Sequence, residues 1–191
     1  MTDNIIRNDF IVITGGPGAG KTTLLNELQR IGFNHVPEVA REIIQTQVSS
    51  NGDALPWGNV KKYRDLMLNE SIDSYLSALD NRPEKWLFFD RGIPDTFAYS
   101  HLIDVPISEK KDLEARKYRY NKQVFILPPW EEIYKTDNER IQDFEEAVAT
   151  YDIIFKTYKN LDYELIEVPK IDVKKRASFI LDNVDSPLQD H

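Results

Sequence analysis

Thr14-Gly15-Gly16-Pro17-Gly18-Ala19-Gly20-Lys21-Thr22-Thr23 decides the fold. From Gly15 to Thr22 it spells G-x-x-x-x-G-K-[ST]. Phe10-Ile11-Val12-Ile13-Thr14, just before the glycines, is apolar and β-branched, the pattern of a buried strand. Thr22 to Leu28, just after them, carries Leu24, Leu25 and Leu28 at helical spacing. A strand, a glycine-rich turn and a helix in that order form a phosphate-binding loop. The glycines let the backbone turn its N–H groups toward an anion, and the helix N-terminus adds partial positive charge. The nucleotide-binding residues expected from the motif are Gly15, Gly16, Pro17, Gly18, Ala19, Gly20, Lys21, Thr22 and Thr23. Lys21 is expected on the β- and γ-phosphates of ATP, and Thr22 on Mg²⁺. The competing reading, a chance glycine-rich turn, does not account for the strand and helix on either side.

Outward from the loop, strands and helices alternate. Ile31-Gly32-Phe33 closes the first helix, and His35-Val36-Pro37 is a short second strand. A helix starts at Glu38. The stretch from Ser49 to Gly58 is a polar loop, and a long helix runs from about Val60 to Leu79. Trp86-Leu87-Phe88-Phe89-Asp90 is a buried strand ending in a carboxylate, and Pro94 to Leu102 is a helix. Ser108 caps a further helix expected to reach about Tyr120. Gln123 to Leu127 is a fourth strand, stopped by Pro128-Pro129. Trp130 to Asn160 reads as mostly helical with a break near Asp137. Tyr163 to Val168 is a fifth strand, and Asp172 caps the last helix.

The alternation predicts an α/β, three-layer fold, a five-stranded parallel sheet with helices on both faces. One domain is expected over residues 1–185, with a helical lid region around 108–160 and a loose tail at 186–191. In such sheets ligands bind at the carboxyl ends of the strands. Thr14-Gly15, Glu38, Asp90-Arg91 and Pro128-Pro129 all fall there.

Each polar residue at those ends has a chemical reading and a plainer one. Asp90 is placed to hold Mg²⁺, or is an ordinary strand-terminal acid. Arg91 is placed to neutralise charge developing in phosphoryl transfer, or forms a surface ion pair. Glu38 is placed to take a proton from an acceptor hydroxyl, or is a helix-start acid answering the helix dipole. Arg41, one turn on, could hold a substrate group or pair with Glu38 along the helix. Arg116 and Arg119 lie on one helical face of a basic stretch and could close over phosphates; a solvated face is the alternative. Arg140 is a further lid candidate. Lys21, Glu38, Asp90 and Arg91 are thus the candidate catalytic residues, and Thr22 and Asp90 the candidate metal ligands. Glu38, Arg41, Arg91, Arg116, Arg119 and Arg140 are the candidate substrate-binding residues.

Composition narrows the partners. The 191 residues include 32 acidic and 24 basic side chains, a net charge of −8, which argues against a nucleic-acid binder. There are no cysteines, so disulfides and thiolate metal sites are excluded. No signal peptide or membrane span is read from the sequence, and a cytoplasmic location is expected. His35, His101 and His191 show no ligand spacing, so no metal site is read in them. Asn121-Lys122-Gln123-Val124 lacks the Asp of an Asn-Lys-x-Asp motif, which disfavours a guanine-specific switch protein. Arg91, standing where ring ATPases usually place a glutamate, suits transfer to a bound acceptor better than hydrolysis.

Through the loop motif, Val36-Pro37-Glu38-Val39-Ala40-Arg41-Glu42, Phe88-Phe89-Asp90-Arg91-Gly92-Ile93-Pro94-Asp95 and Pro128-Pro129-Trp130, the chain resembles a bacterial family of small P-loop proteins with AAA-type ATPase or kinase-like domains. At longer range it is similar to nucleoside and nucleotide kinases and to the nicotinamide riboside kinase domain. That resemblance implies a base at Glu38 and an acid–arginine pair at Asp90-Arg91 serving metal and phosphates. The spacing of the lid arginines matches no named pattern. The expectation is therefore an ATP- and Mg²⁺-dependent small-molecule kinase whose acceptor is a nucleoside, nucleotide or related metabolite. The alternatives are a regulatory ATP-binding module and a kinase acting on polynucleotide ends.

Overall fold

The structure is a computed structural model and describes residues 4–81, 85–134 and 144–184. Strand β1 (Ile5–Ile6) precedes β2 (Phe10–Gly15), the loop and helix α1 (Lys21–Arg30). Then follow β3 (His35–Val36), α2 (Val39–Ser49), α3 (Val60–Asp80), β4 (Leu87–Asp90) and α4 (Ile93–Leu102). Helix α5 (Glu109–Ala115), β5 (Tyr118–Arg119), β6 (Gln123–Leu127), α6 (Phe144–Asn160), β7 (Glu164–Glu167) and α7 (Val173–Asn183) complete the order.

Five strands form one parallel sheet in the order β3-β4-β2-β6-β7. β2 lies at the centre and is buried along its whole length, because helices cover both faces of the sheet. Its side chains divide by the period of two. Phe10 and Val12 join Leu68, Tyr75, Phe89, Phe97 and Tyr158 on the face covered by α3, α4 and α6. Ile11 and Ile13 join Leu24, Leu25, Leu28 and Ile180 on the face covered by α1 and α7. The crossover after β2 leads toward the β4 side and the one after β6 leads away from it. The sheet therefore has its switch point between β2 and β6, the place where a ligand crevice opens.

Two features depart from the sequence reading. The helix begun after Ser108 stops at Ala115 instead of reaching Tyr120, and Ser108 makes no side-chain cap bond. Tyr118–Arg119 instead pairs in parallel with Ile5–Ile6. The physical reason is the Tyr-x-Tyr alternation. In an extended chain Tyr118 and Tyr120 share one side, and both pack on Tyr75, with centroids 5.4 and 5.2 Å away. After β6, the described residues before α6 hold a single 3₁₀ turn, Glu131–Ile133; the helix break expected near Asp137 lies outside the described residues, as does the 186–191 tail. Asp172 caps α7 as expected, accepting from the Lys174 and Lys175 N–H groups at 3.1 Å each. Among the described residues no helix is long and apolar enough to cross a membrane.

Candidate active site

The loop between β2 and α1 is held against its neighbours so closely that side chains are excluded. Gly15 has φ 140°, and a Cβ there would stand 2.5 Å from the Leu127 carbonyl oxygen of β6. Gly18 has φ 73°, and a Cβ there would strike the Tyr134 ring. The loop thus requires glycine for both its backbone angles and its packing. Lys21, the first residue of α1, is buried and folds across the loop. Its Nζ donates to the carbonyl oxygens of Gly15 and Gly16 at 2.9 and 2.8 Å. An ammonium has three N–H donors, so one remains for a phosphate oxygen. Burial, with the nearby Arg91 charge, lowers the Lys21 pKa to about 8; Glu38 and Asp90 oppose that shift.

Three carboxylates surround Arg91. Glu38 occupies the N-cap position of α2, but its side chain makes no cap bond. It accepts instead from Arg91 Nε at 2.7 Å. Burial would raise its pKa, yet the charges of Arg91 and Lys21 and the Arg91 hydrogen bond outweigh burial and hold it below the usual value. Arg91 also donates through Nη1 to Asp95 at 3.0 Å. Its backbone is left-handed, φ 71°, a conformation costing a non-glycine residue about 1–3 kcal/mol and found where the surroundings over-determine it. Here the determinants are the two acids and an N–H bond to the Ile13 carbonyl at 3.0 Å. Burial opposes the Arg91 charge, but Glu38, Asp95 and Asp90 more than compensate and raise its pKa.

Asp90 ends β4 beside them, its pKa raised by burial and partly restored by Lys21. One of its oxygens, Oδ1, is buried with no hydrogen-bond partner among the described residues. An orphaned carboxylate oxygen in the cleft that Thr22 also lines suits a hard cation, which takes oxygen ligands, or water held by one. No group of three or more acids and histidines is arranged for a metal among the described residues; Thr22 and Asp90 line one cleft and are the residues that would hold Mg²⁺ beside nucleotide oxygens and water.

Two residues escaped the sequence reading. Asp95, in the first turn of α4, is buried and takes four donors: the Thr14 hydroxyl, Arg91 Nη1, the Gly92 N–H at 2.9 Å and the Tyr158 hydroxyl at 2.6 Å. Its only sequence signal was an acid in the first turn of a helix. Arg176, in α7, is 4% exposed, donates through Nη2 to the Ala19 carbonyl at 3.1 Å and lies 5.6 Å from the Trp130 ring. Its Nε has no partner among the described residues.

Apart from Asp95, these groups line a cleft of about 550 Å³ that runs from Lys21, Thr22 and Thr23 past Asp90 and Arg91 to Trp130 and Arg176. A second cavity, about 370 Å³, adjoins it; Pro17, Glu38 and Arg91 line both. Arg41 lines the first and not the second. The structure does not bring Arg116 and Arg119 to either. Arg116 binds Asp112 at 2.5 Å and lies over Phe97, lining a separate hollow. Arg119 donates to the Leu161 carbonyl at 2.6 Å and stacks on Tyr163 at 4.1 Å. Arg116 ends α5 and Arg119 belongs to β5, so the shared helical face expected of them does not exist. Arg140 lies outside the described residues.

A family model described as AAA domain matches residues 10–176. Solved structures share the fold at low identity. A NadR protein in complex with NR is 19% identical with TM-score 0.65, over 95% of this chain and 54% of that one. Deoxyadenosine kinase from M. mycoides, with dCMP and dCDP bound, is 17% identical with TM-score 0.55, over 91% and 96%. Shikimate kinase from Acinetobacter baumannii, with shikimate, is 18% identical with TM-score 0.50, over 90% of each chain. The chain spans about half the length of the NadR structure. By sequence, no curated protein matches it.

Proposed function

The chain belongs to that AAA-domain family, and from this premise we propose that it is an ATP-dependent phosphotransferase acting on the hydroxyl of a small molecule, a nucleoside, nucleotide or related metabolite. The observation that carries the reading is the pair of adjoining cavities with Glu38 and Arg91 in their shared wall. A module that only binds or hydrolyses nucleotide needs one cavity. A transferase needs two, with an acid and a cation where they meet. The nucleoside and shikimate kinases of the same fold are consistent with it.

Each residue then has a task. The loop and Lys21 bind the phosphates, and Lys21 supplies charge to the β- and γ-oxygens. Thr22 and Asp90 would hold Mg²⁺, which supplies charge neutralisation between the phosphates. Arg91 keeps the N–H groups not used by Glu38 and Asp95 for the transferred group. Glu38, kept ionised at neutral pH, accepts the hydroxyl proton as the acceptor oxygen bonds to the γ-phosphorus and the bond from that phosphorus to the β,γ-bridging oxygen breaks, releasing ADP.

The test is ADP production by the full chain with Mg·ATP, with and without a panel of nucleosides, nucleotides and hydroxylated metabolites. Production stimulated by one acceptor class, together with a phosphorylated product, supports transfer. ADP production that no acceptor changes would instead assign the chain to nucleotide hydrolysis.

A further inference from the structure

We propose that the cavity beside the phosphate cleft takes a ring-bearing alcohol that carries no phosphate or carboxylate of its own. The proposal rests on the phosphotransferase reading and narrows its acceptor.

The first argument is charge. Among the described residues lining this cavity, the ionised groups are Glu38, Asp95 and Arg91. Two acids face one guanidinium, which gives its Nε–H and one Nη1–H to them. Recognition of a phosphate or carboxylate normally uses an uncommitted arginine or lysine, often bidentate. An acidic acceptor here would meet an excess of negative charge, and the N–H groups of Arg91 left over by its partners at 2.7 and 3.0 Å are those assigned to the transferred group. Among the described residues, Arg91 is the only basic side chain lining this cavity. Arg116 pairs with Asp112, Arg119 caps the Leu161 carbonyl, and Arg41 lines the other cleft.

The second argument is shape and surface. The remaining wall is apolar and aromatic. Tyr63 and Tyr99 meet edge to face at 5.5 Å, with Met67, Leu102 and Ile154 around them. That surface presents ring faces and edges to a flat ligand. Burial raises the pKa of both tyrosines, so their hydroxyls stay neutral and, with Thr150, offer hydrogen bonds without charge. A volume of about 370 Å³ lies at the small end of ligand sites, enough for one ring system and a hydroxylated arm. The hydroxyl then belongs at the wall formed by Glu38, the only acid among the described residues shared with the phosphate cleft.

The experiment is calorimetric titration of the full chain, saturated with Mg²⁺ and the non-hydrolysable analogue AMP-PNP. The probes are nucleosides of each base and their 5′-monophosphates, in matched pairs. The expected result is that at least one nucleoside binds about tenfold or more tightly than its monophosphate. Tyr63→Leu and, independently, Tyr99→Leu should each weaken that nucleoside about tenfold while AMP-PNP affinity holds, since neither tyrosine lines the phosphate cleft. Monophosphates binding as tightly as nucleosides, or no probe binding, would overturn the assignment. The two readings separate cleanly. A nucleoside that binds without stimulating ADP release leaves this cavity assignment standing and removes the transferase. Monophosphates that bind best and are phosphorylated keep the transferase and remove the assignment.

Discussion

Raising the pH should weaken nucleotide binding through a single side chain, Lys21. Its buried ammonium has a pKa near 8, whereas an ordinary lysine titrates at about 10.4. The phosphates bind only the protonated form well, and their negative charge restores the lysine's proton affinity in the complex. Nucleotide binding is therefore linked to proton uptake once the free protein begins to lose that proton. About three quarters of Lys21 is protonated at pH ~7.5 and about a tenth at pH ~9, so affinity should fall roughly eightfold, or about 1.2 kcal/mol. Bound Mg²⁺ lowers the last pKa of the terminal phosphate below this window, so nucleotide charge is constant across it. The assay is calorimetry with Mg·AMP-PNP in buffers of differing ionisation heat, which reads both Kd and protons taken up; uptake should approach half a proton per nucleotide near pH ~8. Lys21→Met should bind weakly and without this pH dependence. The same shift acts on folding with the opposite sign. Between about 8 and 10.4 the unfolded chain holds more of this proton than the folded one, so in that window Lys21 makes stability rise with pH. A wild-type Kd constant within twofold from pH ~7.5 to ~9, in folded protein, would refute the placement of Lys21 at the phosphates.

The acids of the site should separate by assay. Glu38→Gln should lower the transfer rate by on the order of 10²–10⁴-fold and leave AMP-PNP affinity at neutral pH almost unchanged; equal losses in both would make Glu38 structural. Asp90→Asn should raise the Mg²⁺ concentration needed for half-maximal nucleotide binding, measured by metal titration, while metal-free nucleotide affinity holds. Asp95→Ala should cost about 3–5 kcal/mol in urea unfolding, because it strands the buried donors of Thr14, Tyr158 and Gly92 and half of the Arg91 pairing.

The central strand, the loop and the acid ends of the strands were legible because each is a local necessity. A strand buried on both faces must be continuously apolar, and a turn with φ near 140° against a neighbouring carbonyl must be glycine. The partners of the site's side chains were not legible. Glu38 read also as a helix-start acid, and its tertiary bond to Arg91, made in place of a side-chain cap bond, is encoded by no spacing along the chain. Asp95 draws its four donors from β2, the turn before α4 and α6, and no spacing along the chain encodes that meeting. Arg176 reaches the loop from a helix some 150 residues downstream. The lid reading of Arg116 and Arg119 failed for a simpler reason. It assumed a helix through Tyr120, while the aromatic alternation at Tyr118 and Tyr120 already carried the period of a strand.

Helix α6 joins the two ends of the site. Near its start the Ala147 carbonyl backs Gly16, so closely that a Cβ on the glycine would stand 2.8 Å from it. Eleven residues later Tyr158 donates to Asp95, and at ~1.5 Å per residue those points lie roughly 16 Å apart on one rod. Thr150 and Ile154, between them, line the second cavity. A helix that backs the phosphate loop, walls the neighbouring cavity and anchors the acid that orients Arg91 cannot shift at one of these places alone. Close packing transmits such a shift as a unit. Occupation of the second cavity would therefore act on Arg91 and on the loop backbone through α6 as well as through direct contact. The linkage is reciprocal: whatever factor an acceptor imposes on nucleotide affinity, the nucleotide imposes on acceptor affinity.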